Sequence, residues 1–225
     1  MITAGPQRTE NFTAGRSSTL ASYAFALVGW ELVVVAVTAL VGLRADRWSG
    51  VAVHQVLTVA GWVTGTVVLA RAGHPALTAR GRRGHRLLRT GLVVALAVVV
   101  IAVRWWAVGG GQASIVGEHR SYVEDFGQVG WVSTLGQIGY YVAEAGVVTL
   151  LIAFGQRAGE SWTARPAVPW GGLAAAVSWG AVHVLLQGGA AGLYAMAVAV
   201  AMGVVHVLLR SWRATWGVAA VVFVV

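Results

Sequence analysis

Lysine and cysteine are both absent from this 225-residue chain. Without a lysine, no Schiff base to a retinal-type cofactor can form, which excludes that class of membrane protein. Without a cysteine, the chain has no disulfide, no thiolate metal site and no cysteine nucleophile. All sixteen basic side chains are therefore arginines, and the chemistry of any site must come from other residue types.

Charge is also scarce, since 11% of the residues are charged, 57% are hydrophobic and the mean hydropathy is +0.72. Apolar runs of about 20 residues recur, and each is long enough to cross about 30 Å of hydrocarbon. They do not alternate in the way that strands of a membrane barrel do. The sequence predicts an all-α, polytopic transmembrane helical bundle with six full spans and a short seventh segment. The predicted spans are 22–43, 51–70, 91–109, 131–155, 170–187 and 190–209, and the short segment is 214–225.

The distribution of arginines predicts how these spans are oriented. Residues 1–21 are polar and show no apolar core of a signal peptide, so we expect a cytoplasmic N-terminus followed by a single transmembrane domain at 22–225. With this orientation, twelve arginines lie inside and three outside, as in multi-pass proteins of the cell membrane. Such clusters contact anionic lipid, and no nucleic-acid recognition motif accompanies them. The expected partner is the lipid bilayer. Six of the inside arginines share one connection: Arg71, Arg80, Arg82, Arg83, Arg86 and Arg89.

Two of the predicted spans carry polar residues at helical spacing. A carboxylate or imidazole at membrane depth costs several kcal/mol unless it is paired or faces a wet cavity. We therefore expect Glu144 and His183 to meet in a hydrated cavity. Two interpretations stay open for each, a role in activating water and a structural role in holding helices together. The two polar stripes are Gln137, Tyr141 and Glu144 in one span, and Trp179, His183 and Gln187 in the other.

Other ionisable residues are secondary candidates. Glu31 and His54 lie in the first two spans, and Arg104 lies late in the third, where it can snorkel outward or pair with Glu31 or Glu144. His206 is expected to be structural or interfacial, because its depth differs from that of His183 by about 20 Å. This difference also argues against a bis-histidine haem.

No metal and no cofactor is predicted. A metal set made of His54, Glu144 and His183 is conceivable, but no ligand spacing such as H-E-x-x-H supports it.

Residues of the C-terminal part, from about 130 to 225, resemble the CAAX-protease and bacteriocin-processing family (CPBP, or Abi) of intramembrane glutamic proteases. The resemblance is carried by Tyr140, Tyr141 and Glu144, by Phe154-Gly155-Gln156, by Pro169-Trp170-Gly171-Gly172, by Trp179 and His183, and by Gln187-Gly188. It implies that Glu144 is the glutamate of the first motif. It also implies that His183 is the histidine of the second motif, with Trp179 in place of phenylalanine.

The resemblance implies that Glu144 and His183 activate water to hydrolyse a peptide bond of a membrane-associated substrate. The motifs are degenerate, so two interpretations stay open: a weakly active protease, and a protein that has lost its catalytic activity. Ala143 and Ala145 stand beside Glu144 where the family has a second glutamate, and His206 is followed at +4 by Arg210 rather than by Asn or Asp. The candidates for stabilising the developing oxyanion are the side chains of Tyr141, Gln187 and Arg104. The alternative is a non-enzymatic membrane protein, such as a small transporter or scaffold.

Overall fold

The computed structural model describes residues 14–77, 86–107 and 112–225, and within these ranges the chain is helical and contains no strand. A 3₁₀ turn at Gly127–Val129 and a π-helical turn at Ala176–Gly180 interrupt the α-helices. The α-helices are α1 (Ala14–Val28), α2 (Trp30–Leu40), α3 (Trp48–Ala72), α4 (His74–Leu77), α5 (Arg86–Ala107), α6 (Ser114–Phe126), α7 (Gly130–Thr163), α8 (Trp170–Ala175), α9 (Ala181–Gln187), α10 (Gly189–Leu209) and α11 (Trp212–Val224).

The all-α prediction is confirmed for the described residues, and five helical segments are long and apolar enough to cross a membrane. The count of six full spans plus a seventh is not confirmed. The predicted fifth span is divided among α8, the π-helical turn and α9. Helix α11 has 13 residues, or about 20 Å, which is shorter than a hydrocarbon core of about 30 Å. The five segments are Gly15–Leu40, Trp48–Ala72, Leu87–Trp106, Ser114–Thr163 and Gly189–Leu209.

The first predicted span is two helices. Helix α1 begins at Ala14, within the segment predicted as a polar N-terminus, and Gly29 separates it from α2. The Trp30 indole donates to the Leu57 carbonyl at 3.0 Å and fastens the start of α2 to α3. In the connection to α3, Arg44 donates to both oxygens of Asp46 at 3.0 and 2.7 Å, which lowers the pKa of the Asp46 carboxyl. Of the arginine-rich connection, Arg80, Arg82 and Arg83 lie outside the described residues.

Helix α7 forms the centre of the bundle. It has 34 residues, and every residue from 143 to 156 is buried. Helices α1, α3, α8 and α11 pack around it, so its central part is apolar on nearly all sides, as expected of a helix that contacts no solvent. Helix α7 continues to Thr163 before the chain turns at Ala164. The connection after it is therefore shorter than the gap between the predicted spans 131–155 and 170–187.

The stretch between the predicted spans 91–109 and 131–155 is mostly helical in the described residues 112–130, where no helix was predicted. Helix α6 and the 3₁₀ turn occupy most of this stretch, and α6 packs against the first turns of α7. The His119 ring contacts the Thr134 hydroxyl at 2.9 Å, which ties the two helices together. Gly127 ends α6 with φ +61°, a conformation that a side chain would disfavour. Polar composition made this segment look like a loop, but its packing against α7 makes it a helix.

Helix α8 lies unusually close to α7 and α10 because glycines form the contacts. A Cβ atom at Gly171 would be 1.9 Å from the Ile152 carbonyl oxygen, and one at Gly172 would be 2.8 Å from the Gly203 Cα atom. The Gln156 amide strengthens this packing, since its oxygen accepts from the Gly171 N–H at 3.1 Å. The segment from α8 to α9 is thereby held at a defined depth against α7.

Candidate active site

A cavity of about 790 Å³ lies between α7, α9 and the helices that face them, and both predicted polar stripes line it. Its volume is within the range of pockets that bind small molecules or peptide segments. The lining includes three carboxylates, two imidazoles and one guanidinium group. The polar and aromatic residues around it are Glu31, His54, Gln55, Arg104, Glu118, Tyr122, Gln137, Tyr140, Tyr141, Glu144, Trp179, His183, Gln187 and Tyr194.

Glu144 and His183 are neighbours in this cavity, so their predicted proximity is confirmed. The distance from His183 Nε2 to Glu144 Oε1 is 3.8 Å. This is longer than a direct N–H···O hydrogen bond, and it suits a pair of groups that can share a bridging hydrogen-bond partner. Glu144 comes from the buried middle of α7, and His183 comes from α9.

The other nitrogen of the His183 ring is occupied by the backbone. His183 Nδ1 lies 3.0 Å from the Trp179 carbonyl oxygen, one helical turn earlier. Because a carbonyl only accepts, Nδ1 carries the hydrogen. In the neutral ring, Nε2 is then an acceptor directed at Glu144.

Trp179 positions the carboxylate. Its indole Nε1–H donates to Glu144 Oε1 at 3.0 Å. The indole packs against two rings, the His183 ring at 4.4 Å between centroids and the parallel Phe223 ring at 5.4 Å. The π-helical turn Ala176–Gly180 contains Trp179, and such turns often occur at functional sites. Glu144, Trp179 and His183 thus form one packed unit, which we call the buried triad.

A second glutamate–histidine pair lines the same cavity. His54 Nε2 of α3 lies 3.8 Å from Glu31 Oε1 of α2. Tyr140 of α7 interacts with the Glu31 carboxylate and lies one helical turn before Glu144. The Tyr140 ring packs edge-on against Trp62 at 4.8 Å, which holds it between the two pairs.

Gln137 and Tyr141 line the cavity but bond to partners other than Glu144. Gln55 Nε2 donates to Gln137 Oε1 at 3.1 Å, and the Tyr122 hydroxyl donates to the same oxygen at 3.0 Å. The Tyr141 hydroxyl donates to Glu118 Oε1 at 3.3 Å. These hydrogen bonds join α6, α3 and α7 at one end of the cavity.

Arg104 forms neither of the ion pairs considered for it. Within the described ranges it lies within 4.0 Å of no carboxylate. Its guanidinium carbon instead lies 5.9 Å from the centre of the Tyr194 ring, and its buried Nε atom has no hydrogen-bond partner. The lining of the cavity therefore includes a cation that no protein carboxylate neutralises by direct contact.

Gln187 and His206 are peripheral. Gln187 is exposed at the end of α9, before Gly188 turns the chain with φ +88°. His206 is buried outside the cavity, where its Nδ1 contacts the Thr215 hydroxyl at 3.2 Å. Its structural role, expected from sequence, is consistent with this contact. No group of three or more metal-ligating side chains occurs in the part of the chain that the structure describes.

Glu118, Tyr122, Gln55 and Tyr140 are four of the cavity residues that the sequence analysis did not select as candidates. Glu118 and Tyr122 lie between two predicted spans, although their i, i+4 spacing matches that of the stripes within the spans. Gln55 and Tyr140 were not selected, although each is the sequence neighbour of a selected residue, His54 or Tyr141. Only the packing of α3 and α6 on α7 brings these four together.

No protein-family model, no curated protein and no solved structure matches this chain. The resemblance to the CPBP family therefore rests on the residues quoted above and stays a prediction. For the described residues, the geometry shows a polar cavity, a carboxylate–imidazole pair with fixed donors and acceptors, and an arginine with no carboxylate within 4.0 Å. Such a set can bind water, polarise it and stabilise negative charge.

Proposed function

We propose that this chain is a multi-pass cell-membrane protein and a divergent intramembrane hydrolase of the CPBP type. It would cleave a peptide bond of a membrane-associated substrate. The observation that carries the proposal is the buried triad, in which an indole N–H and a backbone carbonyl orient the Glu144 carboxylate and the His183 imidazole toward each other. The five long apolar helices support placement in a membrane.

The proposed reaction begins with a water molecule hydrogen-bonded to Glu144 and to His183 Nε2. Glu144 takes a proton from this water as its oxygen attacks the substrate carbonyl. The protonated Glu144 then gives the proton to the leaving nitrogen as the C–N bond breaks. One water is consumed, and the products are a carboxylic acid and an amine. His183 keeps its Nδ1 hydrogen on the Trp179 carbonyl throughout.

Negative charge develops on the carbonyl oxygen during attack, and stabilising it is usually the largest contribution to catalysis. Arg104 is the candidate for this role, because it lines the cavity without a carboxylate partner. The Tyr141 hydroxyl is committed to Glu118 at 3.3 Å and would have to change partner. Arg104 therefore replaces Tyr141 and Gln187 as the preferred oxyanion group.

The test is hydrolysis in water labelled with ¹⁸O. The full chain in lipid nanodiscs is incubated with a library of synthetic transmembrane peptides, and new termini are sought by mass spectrometry. Each cleavage should place one ¹⁸O atom in the new carboxylate. Glu144→Gln and His183→Ala should lower this signal by about 10²-fold or more, while Arg120→Gln, on the exposed surface of α6, should leave it intact. Full processing by both triad variants would exclude the water-activation mechanism.

One observation favours a second function, that of a small transporter. Three carboxylates, Glu31, Glu118 and Glu144, line the cavity with a single arginine among the described residues. Such an excess suits passage of a proton or another cation. Cation flux into proteoliposomes that is lost in Glu144→Gln, without any peptide cleavage by the parent protein, would establish this function in place of hydrolysis.

A further inference from the structure

A second pocket, of about 470 Å³, lies on the other side of α7 from the buried triad. Ala143 and Gly146 of α7 face it, whereas Glu144 between them faces the large cavity. Its other walls are the end of α3, helix α4 and the start of α11. This is the arginine-rich end of the bundle, which the sequence predicts to be cytoplasmic.

The permanently charged side chains of this pocket are two arginines. Arg71, His74 and Arg213 line it, and its described lining contains no carboxylate. Neither arginine lies within 4.0 Å of a carboxylate elsewhere in the described ranges. Two guanidinium groups in one lining favour an anion with several oxygen acceptors, and a phosphate group has this chemistry.

The pocket is built rather than being a loose patch of surface charge. Trp212 and Trp216 stack at 6.0 Å with their planes 7° apart, and Arg213 lies 5.8 Å from the Trp212 ring centre. Trp216 is fixed by donating its Nε1–H to the Val142 carbonyl at 2.9 Å. The Thr66 hydroxyl is buried in the wall and has no hydrogen-bond partner in the protein.

The rest of the wall is apolar and continues onto the surface of α3. Val63, Val67 and Arg71 are spaced by four residues and share one face of the helix. Val63 is 48% exposed and Val67 is 41% exposed. Val63 and Arg71 are about 12 Å apart along the axis. An acyl chain beside the valines would thus place its headgroup phosphate at the arginines.

We propose that this pocket binds an anionic phospholipid, with its phosphate between Arg71 and Arg213 and its acyl chain along Val63 and Val67. Free inorganic phosphate shares the headgroup chemistry but leaves the apolar wall uncovered. Anionic lipids are concentrated in the cytoplasmic leaflet, where this end of the bundle is predicted to lie. The site is independent of the proposed hydrolase activity, because it lies on a different face of α7.

The test is native mass spectrometry of the full chain with defined amounts of phosphatidylglycerol, phosphatidylcholine and inorganic phosphate. The parent protein should retain one phosphatidylglycerol at least about tenfold more tightly than phosphatidylcholine, a difference of about 1.4 kcal/mol. The double variant Arg71→Gln, Arg213→Gln should lose this preference. The matched control Arg47→Gln, Arg120→Gln removes two exposed arginines at the other end of the bundle and should keep it.

Both double variants should remain helical and monodisperse, since the four side chains are exposed. Equal retention of phosphatidylglycerol by the pocket variant and the control would overturn the site. Binding of inorganic phosphate as tight as that of the lipid would overturn the lipid assignment.

Discussion

The large cavity contains two glutamate–histidine pairs with the same separation of 3.8 Å, but their surroundings differ. In the Glu144–His183 pair, the glutamate side chain is 9% exposed and the histidine side chain 18%. In the Glu31–His54 pair, the corresponding values are 27% and 25%. The buried pair is also held by Trp179, which donates to the carboxylate, and by the backbone carbonyl that accepts from His183.

This difference shows that separation alone does not identify a site. An isolated carboxylate in the low-dielectric interior is costly, so its environment must supply oriented donors. Glu144 has such a donor in the Trp179 indole, which itself packs against the His183 and Phe223 rings. Glu31 also has a neighbouring donor, Tyr140, but its side chain is more exposed, at 27% against 9% for Glu144. Deeper burial and the Trp179 donor are therefore the reasons for proposing the Glu144–His183 pair, rather than the Glu31–His54 pair, as the reacting one.

The largest expected effect comes from removing the carboxylate of one pair at a time. Glu144→Gln should lower the rate of ¹⁸O incorporation by about 10²–10⁴-fold, because general-base catalysis is lost. Glu31→Gln should lower it by less than about tenfold. The two rates are measured on the same peptide in nanodiscs. Equal losses in the two variants would erase the distinction between the pairs.

The next effect comes from moving the helices that carry the buried pair. Gly171→Ala places a Cβ atom 1.9 Å from the Ile152 carbonyl oxygen, so α8 and α9 must shift relative to α7. A displacement of about 1 Å can lower a rate about 10²-fold. Thermal unfolding should show a lower midpoint as well, because overpacking costs about 1–3 kcal/mol. Gly217→Ala is the control, since its Cβ atom meets no atom within 4 Å. A similar loss of rate in this control would show that helix displacement at Gly171 does not explain the effect.

A smaller effect is expected from the donor to Glu144. Trp179→Phe keeps a ring beside Phe223 but removes the N–H group, at a cost of about 1–3 kcal/mol. The rate should fall about tenfold, which corresponds to about 1.4 kcal/mol. Trp216→Phe removes a comparable indole donor on the other side of α7. It should lower the unfolding midpoint to a similar degree while the rate stays the same; a matching loss of rate would show that the effect is structural.

The smallest effect is expected at the edge of the cavity. Gln187 is exposed at the end of α9, and no hydrogen bond from it occurs within the described residues. Gln187→Ala should change the rate less than about threefold, in keeping with the small effect of exposed positions. Steady-state kinetics on the same peptide measure this change. A tenfold loss would move the reacting centre from the buried triad toward the end of α9.

Much of the bundle and part of the candidate site could be predicted from the sequence. Long apolar runs require helices when backbone groups cannot bond to water, and α3, α5 and α10 follow the predicted spans closely. The stripes through Glu144 and His183 follow from helical periodicity, which fixes the face of each side chain. Helix α6 was missed because its polar composition resembles that of a loop. Its packing on α7 is a tertiary contact, which the spacing of residues within the segment does not predict.

The sequence by itself determined that the chain is helical, that its basic groups are all arginine, and that Glu144 and His183 lie on polar faces of two apolar segments. These properties depend on composition and on the 3.6-residue period, both of which are local. Only the tertiary structure decided that Trp179 bonds to Glu144, that Arg104 pairs with neither Glu31 nor Glu144, and that Glu31 and His54 share the cavity. Those contacts depend on how closely helices far apart in sequence approach, and where α8 meets α7 and α10 its glycines set that approach.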